Sequence, residues 1–242
     1  MTMNAKECQR AVMGDFSGIE DFTGIHDLRT VKNKTQFEAT AAKLLDCELK
    51  FRKVTRMTSY VVDHNIQGRT GSDRCREELI GYHLVRNRHL FLATCSEAID
   101  FQVPLKNVRG DNGLGKVDLL TYNKKTKRLY FMELKRPDNT ESVLRCALEA
   151  YAYSQIVDRE KLISDLQADK RLQSAGIYVD GKSSIIPCML IFKGSEQHKQ
   201  LLNKENVNTR KLIGKLNIQQ ELLDEEELVA KYPSIRSVLK KS

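Results

Sequence analysis

Two apolar runs a few residues apart, 117–122 (VDLLTY) and 129–134 (LYFMEL), leave this chain the least freedom in how it folds. The lysine-rich link between them gives the pattern of a β-hairpin with a loop of about four or five residues. Branched and aromatic side chains dominate both runs, as a half-buried pleated surface requires. Two acids interrupt them, Asp118 in the first and Glu133 in the second. Side chains alternate across a strand, so Glu133 and Lys135 share one face while Met132 and Leu134 point to the other. Asp118 on the partner strand then lies near that Glu and Lys. Two carboxylates and an ammonium on one wet face suit a divalent cation and a nucleophilic water. The other reading is a solvated face with cross-strand ion pairs. Against it, charge set inside apolar runs needs a partner or a purpose.

Length and composition bound what can be built around the hairpin. With 242 residues, 40% hydrophobic and 30% charged, the chain suits a soluble globular protein with one sizeable core and elaborations, or two small domains. No apolar run approaches the roughly 18 residues of a membrane span. The N-terminus, MTMNAKECQR, has no apolar segment behind its charges, so no secretory signal and a cytoplasmic protein are expected. Cys8, Cys47, Cys75, Cys95, Cys146 and Cys188 are spread singly, without C-x-x-C pairs or zinc-site histidines, and read as reduced thiols. The net charge of +8 favours acidic partners, and its distribution sharpens the point. Between Pro104 and Arg136 nine Lys or Arg face three acids, two of which are Asp118 and Glu133. Such a field attracts a phosphate backbone around a small acidic centre that retains a metal.

Along the chain, residues 1–33 read as an irregular arm that Ile19, Phe22 and Ile25 could seat on the core. Thr35 and Glu38 form a capping box for a helix expected to run to about residue 57. Its basic end, Lys50, Arg52, Lys53 and Arg56, complements the helix dipole or faces a phosphate. Residues 67–72 form a turn-rich break, with Ser72 or Asp73 capping a helix over 74–87. In that helix Glu77 lies on or beside the buried stripe of Ile80 and Leu84, with a salt bridge to Arg74 as the alternative. A strand is expected near 99–103, and the glycine-rich 110–115 reads as a turn into the hairpin. Residues 137–140 end the second strand and open a helix whose polar, aromatic face carries Arg145, Glu149 and Tyr153. Two further strands are expected at 175–179 and 185–192. Pro187 places the first half of the latter at an edge or strand start. Ser195 begins another helix, followed by a charged, helical tail.

Asp118, fourteen intervening residues, then Glu133-Leu134-Lys135, set among helix, hairpin, helix and strand, resembles the core signature of the PD-(D/E)XK nuclease superfamily. The resemblance covers residues 72–194. It implies a restriction-endonuclease-like α/β fold: a mixed central sheet flanked by helices, with N- and C-terminal helical additions. The divisions are 1–70, 71–195 and 196–242. It also implies a metal-dependent phosphodiesterase acting on nucleic acid, most naturally DNA, in one copy or as a homodimer.

Asp118, Glu133, the carbonyl of Leu134, and Glu77 (or Glu78) would then hold Mg2+ or Mn2+. Lys135 would stabilise charge on phosphorus or position the water. Lys116, Lys124, Lys125, Lys127, Arg128, Arg136, Arg145, Glu149 and Tyr153 would line the nucleic acid. Glu149 and Tyr153 stand where RecB-type members have a Gln-x-x-x-Tyr pair, although an ordinary Arg145–Glu149 helix pair is equally open. The chain departs from the pattern at Val117, where many members have proline, and at Glu149. A binding module with a degenerate site and a protein-interaction subunit are the alternatives.

Overall fold

The computed structural model describes residues 2–3, 34–46, 49–51, 53, 55–64, 76–106 and 115–239. Most of the N-terminal arm, the break at 67–72 with its capping residues, the turn at 110–114, and Cys8, Cys47 and Cys75 lie outside them. In chain order the described elements are β1 (Thr2–Met3), α1 (Lys34–Leu45), β2 (Lys50–Phe51), α2 (Arg76–Arg86), β3 (Leu90–Phe91), β4 (Ser96–Pro104), β5 (Lys116–Asn123) and β6 (Arg128–Leu134). There follow α3 (Val143–Ile156), α4 (Arg159–Ala168), α5 (Lys170–Ser174), β7 (Ser184–Phe192), α6 (Glu196–Leu202) and α7 (Val207–Lys215). The chain closes with β8 (Gln219–Leu223), α8 (Glu225–Lys231), a 3-10 turn (Pro233–Ile235) and α9 (Arg236–Leu239).

The central sheet runs β3-β4-β5-β6-β7-β8. Its first four strands pair antiparallel, and β7 and β8 are added parallel to β6. A six-stranded mixed sheet flanked by helices is therefore the architecture. The β5–β6 hairpin turns through Asn123, whose side-chain oxygen accepts from the N–H groups of Lys125 and Thr126, and through Lys127 at φ 55. That side chain mimics a backbone turn, which is why Asn suits the position.

Alternation on β6 divides the core. Leu129 and Phe131 pack with Leu120, Leu144 and Leu148 under α3 and α4. Tyr130, Met132 and Leu134 pack with Ile80 and Leu84 of α2 and with the C-terminal helices. Each face is apolar because each is covered, as expected of a strand at the middle of a layered α/β sheet. Pro187 sits where it does no harm: β8 pairs with β7 only from Cys188 onward, so the first half of β7 has β6 alone as neighbour.

Four expectations change. Helix α1 stops at Leu45 rather than near residue 57, and Lys50–Phe51 bridges to Thr2–Met3. Residues 175–179 form no strand. Ala175 and Ile177 turn their N–H groups back to carbonyls of α5, so this backbone is satisfied locally while Ile177 and Val179 bury their side chains. The helix after the hairpin is capped by Ser142, beyond the expected 137–140. The segment 196–242 is more than a charged helical addition, because β8 joins the sheet and Leu223, Leu228, Ile235, Val238 and Leu239 complete the core over α2.

Arg76 fastens that C-terminal segment. It is 2% exposed and donates from Nε to the Val238 carbonyl (2.8 Å), from one terminal nitrogen to the Leu239 carbonyl (2.6 Å) and from the other to Asp138 (2.8 Å). A guanidinium at the end of α9 satisfies carbonyls that helix geometry leaves open. Arg76→Ala strands those carbonyls and Asp138, and should cost about 3 kcal/mol in urea unfolding. A loss below about 1 kcal/mol would show that the clamp contributes little.

Candidate functional site

The apolar column on the α3 side of the hairpin ends in charge. Leu120 pairs with Phe131 and Leu119 with Met132, so the next step of the register sets Asp118 across from Glu133. Asp118 accepts from the Leu134 N–H (3.0 Å) at one oxygen and from Gln102 Nε2 (2.9 Å) at the other. Gln102 reaches it from β4, three positions past Ile99 where the β4–β5 register shifts, with its own backbone in the left-handed region at φ 50. A non-glycine residue held there stores strain, and such strain gathers at functional sites.

Lys135 lies on the same side, 4% exposed. Its ammonium meets three carboxylates: Glu133 at 2.8 Å, Glu149 at 2.7 Å and Glu141 at 3.0 Å. Arg145 holds the far side of this cage, 2.8 Å from Glu149 and 3.3 Å from Glu141. Helix α3 supplies Arg145 and Glu149 one turn apart, and the β6–α3 connection supplies Glu141. Tyr153 follows one turn later with its phenol against Gly115, where any side chain would collide with it: a Cβ would sit 2.8 Å from the ring Cζ. Glycine lets the Tyr153 ring lie where it does, and a side chain at 115 would have to push that ring aside.

The electrostatics separate these acids. Burial, then the neighbouring charge of Glu77, pushes the Asp118 carboxyl up to about 7, with Lys135 opposing. Burial and Asp118 push Glu133 well above the usual carboxylate range, and its contact with Glu149 adds to the rise. Burial also opposes ionisation of Glu149, yet Lys135 and then Arg145 hold it down to about 2. For Lys135 burial favours the neutral amine, and Glu133, Glu149 and Glu141 together overcome it, so the group stays an ammonium. Glu149 is thus the fixed anion, while burial and neighbouring acids oppose ionisation of Asp118 and Glu133.

Glu77, at the start of α2, turns toward the end of β6. It accepts from the Arg136 N–H (3.4 Å) and from Asn139 Nδ2 (3.3 Å), and its charge acts on Asp118. Arg136 stays beside it, between Glu77 and Asp138. Asp118, Glu133, Lys135, Glu149, Arg145, Tyr153, Glu77, Leu134 and Arg136 therefore gather at one end of the strands, with Lys116 exposed at the rim.

The remaining basic residues do not join them. Lys124, Lys125, Lys127 and Arg128 sit at the hairpin turn, five residues from Asp118 along β5, or about 17 Å at strand rise. Lys124 donates to the Gly176 carbonyl (2.9 Å) and Lys127 pairs with Asp180 (2.8 Å). They sit at the other end of β5 from the acidic centre. Arg145 is likewise buried rather than offered to a ligand.

Among the described residues no three His, Cys, Asp or Glu side chains are grouped so as to hold a metal ion. Nor is any helix there long and apolar enough to cross a membrane. Comparison of the chain with family models, with curated proteins and with solved structures returned no match.

Gln102, Asn139 and Glu141 were not foreseen from sequence. Gln102 comes from a strand irregularity that periodicity does not announce. Glu141 carried one signal, its i,i+4 spacing to Arg145, which ordinarily marks an exposed helix pair.

The raised Asp118 value fixes a pH dependence. Between its ordinary value of 3.8 and about 7 the folded protein keeps a proton that the unfolded chain has released. Stability of the metal-free protein should therefore fall as pH rises through that window, Glu133 acting in the same direction. Asp118→Asn should flatten the fall and be the more stable form at pH 8 in chelator-treated buffer. Parallel pH profiles for the two proteins would show that Asp118 titrates normally.

Proposed function

We propose that this chain is a metal-dependent nuclease of the PD-(D/E)XK type, built on a restriction-endonuclease-like sheet and hydrolysing phosphodiester bonds of nucleic acid, DNA in the first instance. One observation carries the reading. An aspartate and a glutamate lie one step beyond the last pair of two antiparallel strands and act on one another electrostatically, with a buried lysine two residues past the glutamate and bonded to it. The helix before the hairpin adds a third carboxylate, Glu77, whose charge is felt at Asp118.

The oxygen donors are of the kind a hard divalent cation selects, Mg2+ or Mn2+, and the carboxylates would have to draw together to hold one. Burial, and then repulsion from neighbouring acids, makes the carboxyls of Asp118 and Glu133 hold a proton more readily than usual, and Lys135 offsets this only in part. Oxygen ligands with unmet charge are what such cations select. Asp118, Glu133, the Leu134 carbonyl and Glu77 would hold it, and when bound it supplies charge neutralisation and a more acidic water.

The chain's own groups do the rest. The Gln102 amide and the Leu134 N–H orient the Asp118 carboxylate. Glu149, fixed as an anion by Arg145, keeps Lys135 protonated against its burial. An ammonium held charged in a dry setting is suited to meet negative charge that grows on phosphorus in the transition state. The turn of the β5–β6 hairpin lies too far from this centre to touch the same phosphate, so substrate contacts near the cut would fall to Lys116 and Arg136.

The test is cleavage of circular single- and double-stranded DNA by the purified protein after addition of magnesium or manganese. Asp118→Asn should abolish cutting while the protein stays folded. Lys135→Ala should slow it by about 10²-fold or more, with DNA affinity in calcium little changed. Binding in calcium without any cutting in magnesium or manganese would make the chain a nucleic-acid-binding module. Undiminished cutting by Asp118→Asn would place the chemistry elsewhere.

A further inference from the structure

We infer that the turn of the β5–β6 hairpin and the strip 176–184 beside it form a separate binding site for single-stranded nucleic acid, in which one unpaired base stacks on Tyr178. The turn stands about 17 Å along β5 from Asp118, and the site does not depend on the nuclease reading.

Charge is one half of the case. Across 123–128 and 176–184 the charged residues are Lys124, Lys125, Lys127, Arg128, Lys182 and Asp180, five cations and one acid. All five cations are exposed, and the acid already pairs with Lys127 at 2.8 Å. Arg159 of α4 adds a further positive group. It donates from Nε to the Ser183 carbonyl (2.7 Å) and from a terminal nitrogen to the Gly181 carbonyl (3.2 Å). A polyanion is the partner that such a field attracts.

The other half is an exposed aromatic ring. Tyr178 is 71% exposed, between Ile177 and Val179, which are each 3% exposed. The backbone that carries it is pinned on both sides. The Ile177 N–H donates to the Leu172 carbonyl at 2.9 Å, and the Val179 carbonyl accepts from Gln167 Nε2 at 2.9 Å. The Asp180 N–H donates to the Tyr122 hydroxyl at 3.1 Å. One exposed ring signifies little by itself. Here cations are fastened around it. Lys124 donates to the Gly176 carbonyl at 2.9 Å, two residues before the ring, and Lys127 reaches Asp180, two residues after it. The Ser184 N–H, 3.1 Å from the Lys127 carbonyl, joins turn and strip into one surface.

The combination selects among polyanions. Cations alone accept duplex, single strand or acidic protein alike. A ring stacks only on a base whose face is free, and in a duplex the neighbouring pairs cover those faces. A single strand laid along the turn would set its phosphates against Lys124, Lys125, Arg128 and Lys182 while one base covers Tyr178. Stacking and phosphate contact use neither the 2′-hydroxyl nor the base edges, so DNA and RNA strands fit the same chemistry.

The experiment measures binding to the full chain, in EDTA, of labelled deoxythymidine and uridine strands of about twelve nucleotides and of a DNA duplex of the same length, by fluorescence anisotropy. The chelator excludes cutting and any contact through a metal. Tyr178→Ala should weaken single-strand binding about tenfold, Tyr178→Phe should bind as wild type does, and the duplex should be indifferent to both. Lys125→Ala combined with Arg128→Ala should lower the salt slope on a single strand by about 1.4, two contacts at about 0.7 each. Tyr178-dependent binding of only one of the two strands supports the site and names its ligand as DNA or RNA.

Unchanged single-strand affinity in Tyr178→Ala overturns the site, and so does an equal loss on duplex. Self-association of the wild type that Tyr178→Ala abolishes would give the ring to a second copy of the chain and overturn it too. Failure of the nuclease reading looks different. Tyr178-dependent binding without any cutting in magnesium or manganese leaves this site standing, whereas cutting without Tyr178-dependent binding removes this site alone.

Discussion

A buried ammonium that can stay charged only among carboxylates is the constraint on which this structure turns. Glu133 comes from β6, Lys135 from the residue just past its end, Glu149 and Arg145 from α3, and Glu141 from the connection between them. Removing Lys135 would leave its buried carboxylates without their common cation, which costs more than an intact pair contributes. The cage therefore fixes geometry more than it adds stability. A one-residue slip of β6 would carry Glu133 and Lys135 into the layer where Met132 and Leu134 pack against α2, so register is specified by charge as well as by shape. The same cage dictates how close α3 lies to the end of the sheet.

The charges in the cage do not balance, and the imbalance is local. Glu149 is satisfied from both sides, whereas Glu133 shares Lys135 with two other acids and Asp118 has only N–H donors in contact. Repulsion is thus concentrated between the two strand carboxylates, at the rim where Asp118 is still partly open to solvent. A structural ion cluster refined for stability alone would gain from one fewer acid at this point. On the nuclease reading proposed above, that excess of acid is what a divalent cation would neutralise.

Much of this was legible in the sequence, for reasons of period. The hairpin, its loop, the shared face of Glu133 and Lys135, and the placing of Asp118 beside them all follow from alternation of side chains along a strand. Pro187 correctly marked the half of β7 that lacks a second neighbour. What could not be read depended on long-range pairing or on irregular backbone. Strand β8 is a short polar QQELL whose membership in the sheet is decided by β7, more than twenty-five residues earlier. Ile177 and Val179 alternate in burial as a strand would, but the Ile177 N–H is taken by the helix end at Leu172 and the Val179 carbonyl by the Gln167 side chain. The lysines of the hairpin turn looked like part of the site because they are near it in sequence. The length of β5 places them at the opposite end of the sheet.

Gln102 brings strain to the same point. Its left-handed backbone at φ 50 costs on the order of 1 kcal/mol or more for a residue with a side chain, and it lies in a strand whose register against β5 shifts only a few residues earlier. What that conformation secures is the amide contact to Asp118, the carboxylate whose ionisation the fold already opposes. Two independent costs, one in backbone conformation and one in desolvated charge, thus meet on a single side chain. Packing does not call for either, since Phe101 and Val103 on both sides of Gln102 are buried in ordinary apolar contacts. Stability given up twice at one carboxylate, and nowhere needed by the core around it, marks Asp118 as the group the rest of the site is arranged to present.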